Sequence, residues 1–336
     1  MKRLFVLFAF LLVSCAAFAQ DDEPQSEGTL LIVPRLDLDP SYSGGEWSFD
    51  LGSTSLYTLF EGNITRNLSF SVSNHWFALC EGIDDAADLY RNTWRSSAAN
   101  WVDWANLTLK MGNFFISAGK DYMRVANFEI EEYDYNSHWQ MNSLLWNTLQ
   151  VYQWGGMFGW QNEDESLTIS LQATTDPGMY RPFETGNLKS YAYTFNTFFE
   201  GETLSLMGSV THSGLWGWIG ALGAKVNVSD GIALGTDINL TSFLRSGSLS
   251  LEASLSDKVD LVGKLGYERL GSDWNELLAF DHFFGGIACN WYPLNDSRNL
   301  RVHLMAAPSV NKYVDEKSTD LYLSAGATYF FEFKLF

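Results

Sequence analysis

The sequence predicts an all-β chain, a transmembrane antiparallel up-and-down β-barrel of about sixteen strands with long external loops and short periplasmic turns. Three observations carry this. From residue 29 onward, segments of about ten residues alternate apolar and polar, which is the length a tilted membrane strand needs. Long and short connections between these segments follow one another in order. Aromatic residues are abundant, with 13 Trp, 15 Tyr and 24 Phe, and gather near segment ends.

Residues 1–19 read as a signal peptide. Lys2 and Arg3 precede the apolar run Leu4–Val13, and Ala17-Phe18-Ala19 is a small-x-small cleavage site. The run is about half the roughly 20 residues a spanning helix requires. Leu12-Val13-Ser14-Cys15 also resembles a lipoprotein lipobox, which would leave Cys15 lipidated; the Ala-x-Ala site favours the ordinary signal. Residues 20–28 form a short acidic tail, expected to lie in the periplasm, and 29–336 the barrel.

The strands are expected at 29–38, 46–60, 67–78, 100–110, 113–121, 145–160, 166–175, 190–200, 203–212, 216–228, 231–242, 247–256, 259–270, 282–293, 298–308 and 320–335. Alternation is cleanest mid-chain. Ile232, Leu234, Thr236, Ile238 and Leu240 share one face, and Ala233, Gly235, Asp237, Asn239 and Thr241 the other. Leu249, Leu251, Ala253 and Leu255 oppose Ser248, Ser250, Glu252 and Ser254; Leu167, Ile169 and Leu171 oppose Thr168, Ser170 and Gln172. The apolar faces of these segments carry no ionisable residue. A membrane barrel demands this, because a lipid-facing Lys or Arg at the midplane costs about 2–4 kcal/mol. Period alone would also fit a soluble sandwich. Connection lengths discriminate better. The first, third, fifth and seventh run to about 7, 21, 23 and 14 residues, and those between them to about 6, 2 and 5. Short turns carry turn residues, such as Asp230-Gly231, Asp257-Lys258 and Asn295-Asp296.

Trp47, Trp76, Trp101, Tyr191, Trp216, Tyr267 and Phe283 then fall toward the outer rim, and Tyr57, Trp160, Trp291, Tyr329, Phe331 and Phe333 toward the inner. Two aromatic belts at the headgroup layers are the expected result. The last strand's outward face runs through Leu321, Leu323, Ala325, Ala327, Tyr329, Phe331, Phe333 and Leu335, which puts Phe336 out of phase.

The charge is strongly acidic. Without Lys2 and Arg3, 19 Lys and Arg stand against 40 Asp and Glu, a formal −21. A nucleic-acid partner, which needs a basic footprint, is therefore not expected. With Cys15 removed only Cys80 and Cys289 remain, giving no disulfide framework and no metal-ligand spacing. Cys289 falls at an outward position. No cofactor or metal is expected.

Sixteen strands enclose a lumen too wide for side chains to fill. Gly119-Lys120-Asp121-Tyr122-Met123, Asn127-Phe128-Glu129 and Tyr133-Asp134-Tyr135 resemble a segment of the phosphate-selective porins, and the third loop, Tyr122–Leu144, resembles in position and acidity the inward-folded loop of general porins. The resemblance implies a diffusion channel in the outer membrane of a Gram-negative-type cell. Its surroundings would be outer-membrane lipid and lipopolysaccharide, its assembly would use periplasmic chaperones and the barrel-assembly machinery, and it would form a homotrimer. It also carries Glu129, Glu131, Glu132 and Asp134, with Arg124 and Asp121, over as constriction candidates. Phosphate is a poor expectation for the solute, because a phosphate channel displays a ladder of Lys and Arg.

Strand parity gives a second set facing the lumen: Arg35, Asp37, Asp50, Lys110, Asp237, Glu252, Lys264, Glu268, Arg301 and His303. Arg35 and Arg301 are the leading wall candidates, since their strands flank the last strand if the barrel closes. A basic wall facing an acidic loop would set a transverse field across the pore. The rival classes are an adhesin or structural barrel with a blocked lumen, and a rim-site hydrolase. The five histidines are scattered and lie in no nucleophile or metal motif.

Overall fold

The computed structural model of the protein describes residues 27–51, 54–78, 102–131, 139–149, 151–176, 191–214, 216–271, 280–312 and 317–335. The signal segment, Cys15, Cys80, Trp101, Glu132, Asp134 and Phe336 lie outside them. Eighteen hydrogen-bonded segments make one antiparallel sheet. Two pairs of segments are single barrel strands with a local break, so the barrel has 16 strands. They are β1 (Glu27–Ser43), β2 (Glu46–Asp50 and Ser55–Thr65), β3 (Leu68–Ala78), β4 (Val102–Met111), β5 (Phe114–Tyr122), β6 (Tyr152–Gln161), β7 (Leu167–Thr175) and β8 (Tyr191–Glu200). The second half comprises β9 (Leu204–Ser213), β10 (Gly217–Ser229), β11 (Ile232–Leu240), β12 (Leu244–Ser256), β13 (Val259–Leu270), β14 (Phe280–Trp291), β15 (Leu300–Lys312) and β16 (Lys317–Tyr329 and Phe331–Lys334).

Closure is made by β1. It pairs with β2 (Leu31↔Leu59, Tyr42↔Trp47) and with β16 (Arg35↔Thr328, Thr29↔Lys334), so no sheet edge remains open. Outward positions hold exposed apolar side chains such as Leu36, Leu249 and Leu265, the last 74% exposed, and inward ones hold polar residues such as Asp237 and Ser248. Trp47, Trp76, Tyr191 and Phe283 stand exposed on the outer-rim side, and Trp291, Phe331 and Phe333 on the inner. Trp216 instead turns in and packs on Phe243, with ring centroids 5.2 Å apart.

Three expected boundaries are corrected; the second strand, expected to end at 60, runs on to Thr65. The first strand runs on to Ser43, because Gly44 and Gly45 both take positive φ (61° and 92°) and close a two-residue hairpin. Pro40, inside this strand, is accommodated opposite Phe49. The sixth strand begins at Tyr152. The apolar stretch before it forms a short helix, α2 (Leu144–Thr148), whose N-cap Ser143 accepts from Trp146 N at 3.2 Å. One further turn of helix, α1 (Phe128–Glu131), lies earlier in the same β5–β6 connection.

Candidate functional site: the third loop and the inner wall

The described parts of the β5–β6 connection lie against the inside of the barrel. Met123, Val125, Ile130, Leu145 and Leu149 pack on Ala192, Ile219, Ala221, Leu244 and Leu270, all inward residues of β8, β10, β12 and β13. Further along, Met141 packs on Ala288, Met305 and Ala307 of β14 and β15. These apolar residues break the polar pattern of the lumen face where the loop covers it.

Polar side chains of the wall take up the loop's backbone. On β7, Gln172 accepts from Arg124 N at 2.9 Å and donates to Tyr122 O at 2.9 Å. On β9, Ser209 accepts from Ala126 N at 2.9 Å. On β11, Asp237 accepts from Phe128 N at 2.8 Å, and Asn239 accepts from Asn127 Nδ2 at 2.7 Å. On β13, both oxygens of Glu268 accept from Leu144 N, at 3.0 and 2.9 Å, and His282 of β14 stands 3.0 Å from Glu268 Oε2. Amides buried in a loop must find acceptors, and strands β7 through β13 supply them along one arc of the wall.

Glu129 is the buried knot of this arrangement. It forms an ion pair with Lys264 and accepts from Ser143 N at 3.0 Å and Ser143 Oγ at 2.5 Å. Lys264 also donates to Asn142 Oδ1 at 3.0 Å. Of the other constriction candidates, Glu131 ends α1, while Glu132 and Asp134 lie outside the described residues. Asp121 and Arg124 line a cavity of about 620 Å³, with Arg124 4.4 Å from the Tyr122 ring centroid. Asp237, Lys264 and Glu268, placed on the wall by parity, are all engaged with the loop. Glu252 pairs with Lys225 at 3.0 Å, Lys110 with Glu165 at 3.1 Å near the β6–β7 turn, and exposed Asp50 accepts from Leu51 N.

Arg35, Asp37, Arg301 and His303 meet away from the loop's anchoring arc. Arg35 and Arg301 both stand opposite Thr328, and Asp37 and His303 both stand opposite Gly326. Gly326 is required there, because an added Cβ would lie 1.9 Å from Asp37 Oδ1. Arg35 Nε donates to Asp37 Oδ2 at 2.5 Å, and the other carboxylate oxygen is 3.6 Å from His303 Nε2. Ser324 Oγ is also near Nε2, at 3.3 Å. A Ser-His-Asp relay needs serine and carboxylate on opposite ring nitrogens; here both approach the same one, so this cluster is not built as a relay.

The 620 Å³ cavity lies between β3–β8 and the underside of the loop. Trp104, Phe115, Tyr152 and Phe198 contribute rings, Asn106, Gln161 and Asn196 amides, and Thr108, Ser117, Thr168 and Ser170 hydroxyls. Neutral side chains such as Gln172, Ser209, Asn239 and Asn196 fall outside a search confined to ionisable groups. Their inward parity was the available signal.

No protein-family model matches the chain, and no curated protein matches it. Among solved structures, the chain is similar to the outer-membrane protein OmpF of Salmonella typhi in complex with daunomycin (13% identity, TM-score 0.61), covering 90% of this chain and 97% of that one. It is similar to an anion-selective porin from Comamonas acidovorans (11%, TM-score 0.60), covering 91% and 100%. The trimer form of OmpT, an outer-membrane protein of Vibrio cholerae, also matches (12%, TM-score 0.55), covering 90% and 99%. What the likeness establishes at such low identities is the fold: this chain has the sixteen-stranded barrel of the outer-membrane porins.

Proposed function

We propose that the chain is an outer-membrane porin, giving passive diffusion to small hydrophilic solutes through a water-filled barrel narrowed by its third loop. The observation that carries this reading is the lining of the loop against β7 through β13. A loop that served adhesion would gain nothing from a buried Glu129–Lys264 pair and wall carboxylates holding its amides. Held on one side of the lumen, it narrows the bore and leaves a passage beside it. The signal peptide is cleaved after Ala19, the mature chain reaches the outer membrane through periplasmic chaperones and the assembly machinery, and it trimerises there among lipid and lipopolysaccharide. The trimer form of OmpT supports the oligomeric part. The chemistry is passage, not catalysis.

Purified protein in a planar bilayer should give discrete conductance steps; a protein that inserts and gives none refutes the channel. Selectivity for cations is expected from the loop's acidic residues other than Glu129. Glu129 is neutralised by Lys264, so the discriminating variant is Glu131→Gln with Glu132→Gln and Asp134→Asn. Its reversal potential in a salt gradient should shift toward zero cation preference, and an unchanged potential removes these residues from the filter.

A further inference from the structure

We propose that the lumen carries a subsite for a neutral hydroxylated solute, of the size and chemistry of a mono- or disaccharide, in the cavity between β3–β8 and the loop. The proposal rests on the channel reading above. A pyranose has two apolar C–H faces and a rim of hydroxyls, so a site for it needs flat apolar surfaces and neutral donors and acceptors. The cavity offers both. Trp104 and Tyr152 present rings with centroids 6.0 Å apart, and Phe115 and Phe198 add two more toward the periplasmic side. Between and beside these rings the lining is neutral: Asn106, Thr108, Ser170 and Asn196. The charged members stand at its ends, Asp121 and Arg124 under the loop and Lys110 at the opposite end of β4.

One atom points to a missing partner. Asn196 is only 5% exposed, its Oδ1 accepts from Ser170 Oγ at 2.9 Å, and its Nδ2 donates to nothing among the described residues. A buried amide donor left unsatisfied is costly, and because Nδ2 is closed off from the cavity, a solute hydroxyl relieves it only after the Asn196 side chain turns into the lumen. The volume of about 620 Å³ falls within the range of small-molecule sites, roughly 300–1,000 Å³. The underside of the loop covers one side of the cavity with Ala126, Ile130 and Leu149.

The test is ion-current block in planar bilayers, with maltose and sucrose as probes and a polyethylene glycol of matched hydrodynamic radius as the control. A site predicts saturable block by a disaccharide, with the glycol lowering current only in proportion to its concentration. Trp104→Leu and Asn196→Ala should each raise the half-blocking concentration, about tenfold for the ring, while Trp104→Phe stays near wild type. Block that never saturates, or that matches the glycol, overturns the subsite and leaves the channel reading standing. So does a half-blocking concentration within twofold of wild type in both Trp104→Leu and Asn196→Ala. Absence of any conductance overturns the channel and the subsite together.

Discussion

Glu129 and Lys264 show how one ion pair can define the bore. Both side chains are almost fully buried, at 1% and 8% exposure, so their attraction is little screened, but each has also lost its water. Removing one partner strands the other. Lys264→Met should therefore destabilise the loop's seat by about 3 kcal/mol, since breaking a buried pair costs more than replacing it whole. The expected readout is a channel with noisier current and larger open-state variance. The double variant Lys264→Met/Glu129→Gln should be quieter than Lys264→Met alone. If the single and double variants give the same current noise as wild type, the pair does not hold the loop. By the same logic Asp237, which accepts from the Phe128 amide, is a structural group that happens to be charged.

At the level of elements, two cross-strand pairs put an aromatic ring over a glycine. Phe115 covers Gly159 between β5 and β6, and Phe284 covers Gly266 between β13 and β14; an added Cβ would sit 2.2 and 2.1 Å from the respective ring atoms. Ring-over-glycine pairs let a strand curve without losing contact area. The second pair also props the loop. Phe284 stacks on His282, centroids 5.3 Å apart, and His282 meets Glu268, which holds the start of α2. Gly266→Ala must push the ring aside and should cost about 1–3 kcal/mol, the usual range for overpacking. Semi-native gel shifts would show the folded barrel melting at lower temperature, and adding Phe284→Leu should restore most of the loss. No recovery would mean that the ring is not what the methyl meets. This level is also where sequence reasoning ran short. Strand existence and facing were legible because period two records burial on each side directly. The loop's seat was legible only as exceptions, in apolar residues such as Met207, Ile219 and Met305 standing on a face that should be polar. The helix before β6 hid because its apolar run fits a buried strand and a short helix alike.

For the whole molecule, the governing fact is that two solvents lie on either side of one sheet. The hydrophobic effect drives apolar side chains outward here, toward lipid, and the lumen keeps the charge. Arg35 and Arg301 could be placed near one another from sequence because barrel closure brings the first strand beside the last, a consequence of topology that needs no side-chain detail; that Asp37 and His303 join them was not read. How those groups pair could not be read, since Asp37 reaches across β16 only because residue 326 lacks a side chain. The sorting itself makes the sharpest prediction. Among the described residues, Leu265, in the middle of β13, is the most exposed of the large apolar residues on the outer face, at 74%. Leu265→Arg places a guanidinium in hydrocarbon, where about 2–4 kcal/mol is lost at the midplane, falling to about 0–1 kcal/mol near the interfaces. Leu265→Phe keeps the position apolar and should be close to neutral. Reversible folding into vesicles, followed by denaturant titration, would measure both. A loss under about 1 kcal/mol for the arginine would place this belt of β13 at the headgroups, shifting the membrane boundary along every strand registered to it.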